Sequence, residues 1–191
     1  MMKHRRLLTL PLLVAAQFLP PLPSVHAADA VQRREWATPV AAAMNLHRVT
    51  PMLFRSAQIH KGDVKAIRSL GVRTIVNLRA FHSDQRLPGL AGIRLVRIPM
   101  KTWHIEDEDV IAALRAIRAA EALGPVLLHC QHGADRTGVV TAMYRMVFQG
   151  WSREQALDEL RNGGFGYHTM WRNIPRYLRN VDIAAIKRAL G

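Results

Sequence analysis

The chain has 191 residues, 49% of them hydrophobic, with 27 Lys and Arg against 14 Asp and Glu, a formal net charge of +13 and one cysteine. That length and apolar share suit a single domain with a sizeable core, and one cysteine excludes both a disulfide scaffold and a multi-cysteine zinc site. The charge favours anionic partners: substrate phosphates, anionic lipid headgroups or cell-surface polymers. The basic residues are scattered, and no nucleic-acid-binding motif accompanies them.

Met1 to Arg6 is a basic start, and Leu7 to Leu19 is an apolar run broken by Pro11. Pro20, Pro21 and Pro23 end any helix, and Val25-His26-Ala27 fits a small-x-small cleavage site. Residues 1–27 therefore read as a secretory signal peptide, too short and proline-broken for a spanning helix, with a retained anchor as the alternative. Cleavage after Ala27 would leave a periplasmic or secreted protein. Losing Lys3, Arg5 and Arg6 takes the formal charge from +13 to +10. Residues 28–44 read as a lead-in, and 45–191 as the domain proper.

Met52 to Arg55 reads as a strand. Asp63 to Leu70 has apolar residues at helical spacing and stops at Gly71. Val72 to Leu78 and Ile93 to Ile98 are further strands. Asp107 to Leu123 is a helix, with Val110, Ile111, Leu114 and Ile117 on one face. Gly124-Pro125 stops it, and Pro125 to Leu128 is a buried strand. Val139 to Val147 is a buried helix. Ser152 with Gln155 forms a capping box that opens a helix to Leu160. Asn162 to Gly166 is a loop, and a final helix runs from about Trp171 to Leu190. The alternation implies an α/β fold, a mainly parallel central sheet flanked by helices.

Between the strand ending at Leu128 and the helix from Val139 lies His129-Cys130-Gln131-His132-Gly133-Ala134-Asp135-Arg136-Thr137-Gly138. A strand, a tight loop and a helix N-terminus make an anion cradle of converging backbone N–H groups. The loop amides, the helix dipole and Arg136 all favour the thiolate of Cys130. Gln131, His132, Gly133, Ala134, Asp135, Arg136 and Thr137 would surround a phosphoryl group, with Arg136 gripping two oxygens through its planar fork. Cys130 would attack in line to give a phosphocysteine that water then hydrolyses. Thr137 would hydrogen-bond the sulfur, and His129 would orient the loop from behind. A zinc site from His129, Cys130 and His132 is disfavoured, since the three are too closely spaced for the usual ligand patterns.

This segment matches the H-C-x5-R-[S/T]-G signature and so resembles the cysteine-dependent protein tyrosine phosphatase superfamily, most nearly its dual-specificity branch. Leu53-Phe54-Arg55-Ser56-Ala57-Gln58 and Thr74-Ile75-Val76-Asn77-Leu78-Arg79 resemble a bacterial, exported subgroup of that branch. The resemblance covers roughly residues 45 to 180 and implies a phosphoric monoester hydrolase with no metal or organic cofactor. Phosphotyrosine or dual-specificity protein substrates are the default. A phosphoinositide or an inositol polyphosphate is the alternative, and a phosphate-binding interaction module is the non-enzymatic one.

By the same resemblance, a general acid should sit in the loop 99–109. The position nearest the usual aspartate is Thr102, which cannot serve. Asp107 is the first substitute, with Glu106, His104 and Asp84 as others. Arg55 and Arg79 either buttress the loop or bind a second phosphate. Phe165, Tyr167, His168 and Trp171 would wall the place where water attacks, and Trp103 would stack on a phenolic substrate.

Overall fold

The computed structural model describes residues 35–191, so the expected signal peptide and most of the lead-in lie outside the described residues. Six strands form one sheet: β1 (Thr38–Ala41), β2 (Leu46–Arg48), β3 (Leu53–Ser56), β4 (Thr74–Arg79), β5 (Arg94–Met100) and β6 (Val126–His129). Their order across the sheet is β1-β2-β3-β6-β4-β5. β3, β6, β4 and β5 run parallel to one another, while β1 and β2 fold back antiparallel at one edge. The expected mainly parallel sheet is what forms.

Six helices follow: α1 (Val64–Ser69), α2 (Asp107–Glu121), α3 (Asp135–Phe148), α4 (Arg153–Asn162), α5 (Asn173–Asn180) and α6 (Ile183–Leu190). The period-2 alternation of the strands divides the core in two. Leu53, Val76, Val126 and Leu128 face the layer of α2 to α6, while Phe54, Ile75 and Leu127 face the layer of α1. α2 buries Val110, Ala113, Leu114, Ile117 and Ala120, one stripe at helical spacing. α3 is buried at nearly every position because the other helices wrap it.

The structure differs from the sequence reading in two places. The sheet begins before residue 45, because β1 joins it and Ala37 and Met44 enter the core. β1 and β2 are four and three residues long, too short to show an alternation. The final helix is two helices. Val181 leaves helical geometry at ψ 135°, and the Asp182 side chain accepts from the Ala185 N–H (3.0 Å), capping α6. At α4 the expected capping box is present: Ser152 Oγ accepts from Gln155 N (3.1 Å), and Gln155 Oε1 accepts from Ser152 N (2.7 Å).

A buried ion pair fastens the N-terminal edge to the helical layer. Arg145 donates to Glu159 through Nε (2.9 Å) and Nη2 (2.7 Å), and both side chains are 2% exposed. Glu159 also accepts from the Ala37 N–H (2.7 Å), and Arg145 from the other side reaches the Glu35 carbonyl (3.0 Å). Removing one partner strands a buried charge. Glu159→Ala should therefore cost about 3–5 kcal/mol in urea unfolding.

Candidate active site

β6 is the central strand, and its end meets the ends of β3 and β4: His129 lies level with Ser56 on one side and Asn77 on the other. The turn 130–134 leads from there into α3, at the carboxyl ends of the strands where open parallel sheets place ligands. Four successive carbonyls of this turn are held from outside. His129 Nδ1 lies 3.2 Å from the Cys130 carbonyl. The Gln58 N–H donates to the Gln131 carbonyl (3.0 Å), Asn45 Nδ2 to that of His132 (2.9 Å) and Arg55 Nη2 to that of Gly133 (2.7 Å). Every described peptide is trans, so each outward carbonyl turns the next N–H inward. The N–H groups of Gln131, His132, Gly133 and Ala134 thus converge above Cys130, at the positive end of α3.

Gly133 is required by this turn. Its φ is +72°, and a Cβ there would lie 2.5 Å from the Ser56 carbonyl carbon. Cys130 is buried, and three buried donors around the cradle lack a partner among the described residues: Arg136 Nε, Thr137 Oγ1 and Arg79 Nε. Buried polar groups are normally paired, so these are the groups an oxyanion would satisfy. The cradle can bind a tetrahedral anion with a sulfur beneath it.

Arg55 and His129 support the turn from behind. Arg55 is fully buried, has no ion pair among the described residues and lies 3.7 Å from the Phe165 ring centre. Burial pushes its guanidinium down to about 10, with the charges of Glu159 and Cys130 opposing the shift, so it stays charged at neutral pH. His129 Nε2 lies 2.8 Å from Asp84 Oδ2, and Asn77 Nδ2 donates to the same oxygen (2.9 Å). Of the two readings of Arg55, the buttress is the one the geometry favours. Asp84 belongs to this support and does not line the cleft.

The cleft above the turn holds about 430 Å³ and is lined by Gln131, His132, Asp135, Arg136 and His168, with Ala80, Phe81, Met100, Thr102, Trp103, Met170 and Trp171. Asp107, Glu106 and His104 are absent from that lining. Tyr177 donates to Asp107 Oδ1 (2.8 Å), and burial together with this bond pushes the Tyr177 phenol up. Glu106 and His104 pair with each other at 2.9 Å on the surface. Asp107, Glu108 and Asp109 fill the first turn of α2, where they complement its dipole. Thr102 and Trp103 are what the loop presents to the cleft.

Asp135 stays off the phosphate position. Its carboxylate accepts from the His168 N–H (3.0 Å) and faces His168 Nδ1 at 2.8 Å. The His132 and His168 rings lie edge to face, 5.1 Å between centres. His132, Asp135 and His168 have ligand atoms within 4.8 Å of one another and are the metal-capable cluster among the described residues. Asp135 and His168 are already bonded to each other. The sequence reading missed Asn45, whose φ of +47° turns its amide onto both the His132 and Phe165 carbonyls. An Asn before a strand is the available signal, since Asn tolerates the left-handed region better than most residues.

This strand, turn and helix define the cysteine phosphatase class, and comparisons agree. A family described as "DSP-PTPase phosphatase fused to NAD+ Kinase" matches residues 30–172, and the chain belongs to that phosphatase family. It is 38% identical over 169 residues to the dual specificity protein phosphatase TpbA of Pseudomonas aeruginosa strain UCBPP-PA14, covering 87% of this chain and 77% of that protein. The crystal structure of P. aeruginosa TpbA superposes with a TM-score of 0.76 at 38% identity, covering 82% of this chain and 96% of that one. A TpbA structure in complex with phosphotyrosine matches with a TM-score of 0.76 at 37% identity, with the same shares covered. The catalytic core of the PP-IP phosphatase Siw14 from S. cerevisiae matches with a TM-score of 0.65 at 25% identity, covering 75% and 89%.

Gly133→Ala should displace the turn and lower turnover by about 10²-fold, measured as phosphate release. Asp107→Asn should leave the ratio of kcat/KM for p-nitrophenyl phosphate over phenyl phosphate unchanged, because its carboxyl is engaged with Tyr177.

Proposed function

We propose that this chain is an exported phosphatase that hydrolyses phosphotyrosine through a phosphocysteine. The observation that carries the reading is the turn itself, four outward carbonyls with Cys130 beneath the converging N–H groups. Cys130 is the nucleophile. Arg136 binds two phosphoryl oxygens through its fork, and the loop amides take the rest of the charge that grows in the transition state. Thr137 Oγ1 donates to the leaving sulfur in the second step. The rim favours an aryl ester. Phe81, Trp103 and Met170 are 78%, 57% and 73% exposed around the cleft, an apolar collar for the ring of a phosphotyrosine. The bound phosphotyrosine of TpbA supports the same reading.

A second reading, a substrate bearing several phosphates, is favoured by one feature. Arg161, Arg172, Arg176 and Arg179 line a neighbouring pocket of about 650 Å³ with no acidic residue in its walls. The segment 167–172 separates this pocket from the cleft, contributing Tyr167, Thr169 and Arg172 to one and His168, Met170 and Trp171 to the other. Export rests on residues 1–27 of the sequence, a basic start, an apolar run and a small-x-small site.

Phosphate release tests both readings, with p-nitrophenyl phosphate, a phosphotyrosine peptide and inositol hexakisphosphate as substrates. The wild type should act on the first two, Cys130→Ser on none. Arg136→Lys should lose about 10²-fold or more, keeping charge but not the fork. Preference for inositol hexakisphosphate, abolished by Arg176→Ala with Arg179→Ala, would establish the second reading instead. Mass analysis of secreted or periplasmic protein should find Ala28 at the N-terminus.

A further inference from the structure

We infer that His168, oriented by Asp135, carries the proton in both steps of this reaction, in place of an acid on the 99–109 loop. The inference rests on the phosphatase reading. An ester oxygen leaving from phosphorus needs a proton, and the loop that faces the cleft offers Thr102 and Trp103, neither of which is an acid. Among the described residues, the carboxyl and imidazole groups lining the cleft are His132, Asp135 and His168. Asp135 is 5% exposed and has both oxygens engaged, one with the His168 N–H and one with Nδ1. It therefore holds the ring instead of reaching substrate.

The bond to Asp135 fixes the ring. With Nδ1 committed to the carboxylate, Nε2 is the nitrogen left for exchange, and no group among the described residues bonds to it. The side chain is 43% exposed, on the wall of the cleft that also carries Gln131 and Arg136. A carboxylate that orients an imidazole and sets its tautomer is the arrangement by which histidine serves as both acid and base. His132 shares the cleft, but no hydrogen bond from a carboxylate orients its ring among the described residues.

One ring suffices because the leaving oxygen and the attacking water occupy the same apical position, opposite the sulfur. In the first step Cys130 Sγ forms the bond to phosphorus, the ester P–O bond breaks, and the departing oxygen takes the proton from Nε2. The ring is then neutral. In the second step the water oxygen bonds to phosphorus, its proton passes to Nε2, and the P–S bond breaks to return the thiolate and release phosphate. Thiolate and protonated ring are both restored.

The test compares wild type, His168→Gln, His168→Ala and Asp135→Asn on p-nitrophenyl phosphate and on phenyl phosphate, whose leaving group is poorer. Acid-quenched samples are analysed by mass for phosphocysteine at Cys130. Both His168 variants should lose about 10²-fold on phenyl phosphate. On p-nitrophenyl phosphate they should lose less and accumulate phosphocysteine, because the second step lacks its base. Added imidazole should partly restore His168→Ala. Asp135→Asn, a positioning change, should show the same leaving-group pattern more weakly. Equal losses on both esters without accumulation would overturn the inference. So would an effect confined to Asp135→Asn, which would make that carboxyl the acid. A wild type that neither hydrolyses the esters nor forms phosphocysteine would instead remove the phosphatase reading on which the inference stands.

Discussion

Everything at this site depends on keeping four consecutive peptide planes edge-on to one point. Left alone, the turn 130–134 has no reason to hold its N–H groups together, since they repel one another and would each prefer water. The structure compels them by occupying the other end of each plane. The four donors come from four places: the ring of His129 at the end of β6, the Gln58 backbone after β3, Asn45 before β2, and Arg55 within β3. The cradle is thus a property of the sheet more than of the loop. It is organised before any anion arrives, which is what makes fixed dipoles effective in catalysis.

Arg55 shows how far the fold goes to secure this. A guanidinium buried without an ion pair is costly, and its partners are a carbonyl and a ring face, Gly133 and Phe165. Arg145 offers the contrast, since its charge is met directly by Glu159 with excellent geometry and serves stability alone. The positive charge of Arg55 is held behind the turn, where Cys130 is among the groups that act on it. Arg55 is a support whose charge reaches the chemistry without touching substrate.

The parts of this molecule legible from sequence are those encoded within a short stretch. The strand into Leu128, the loop with Cys130 and Arg136, and the buried helix that follows are contiguous, so composition and spacing reveal them. The capping box at Ser152 is local in the same way. What escaped is what chain distance conceals. Asn45 bonds a carbonyl 87 residues away, and His168 reaches Asp135 across 33 residues. Neither residue type announces a partner. Asp107, the first of the expected acids, lies outside the cleft lining for a related reason: a carboxylate at a helix start has a structural use, and Tyr177, 70 residues on, bonds it. The division of the last helix was hidden because apolar residues recur on both sides of it, at Leu178, Val181 and Ile186, and the break shows only in the Val181 backbone and the cap that Asp182 makes on Ala185.

The collar of Phe81, Trp103 and Met170 has a consequence for how such a protein can change over generations. No backbone bond of the cradle passes through these side chains, whereas Gly133 accepts no side chain without collision with Ser56. The floor is therefore frozen and the collar is free. A descendant can exchange the aromatic collar for a polar or basic one, and so acquire a new diet of phosphate esters, while inheriting the bond-breaking apparatus intact. Divergence in this lineage should accumulate at the mouth and stall at the floor.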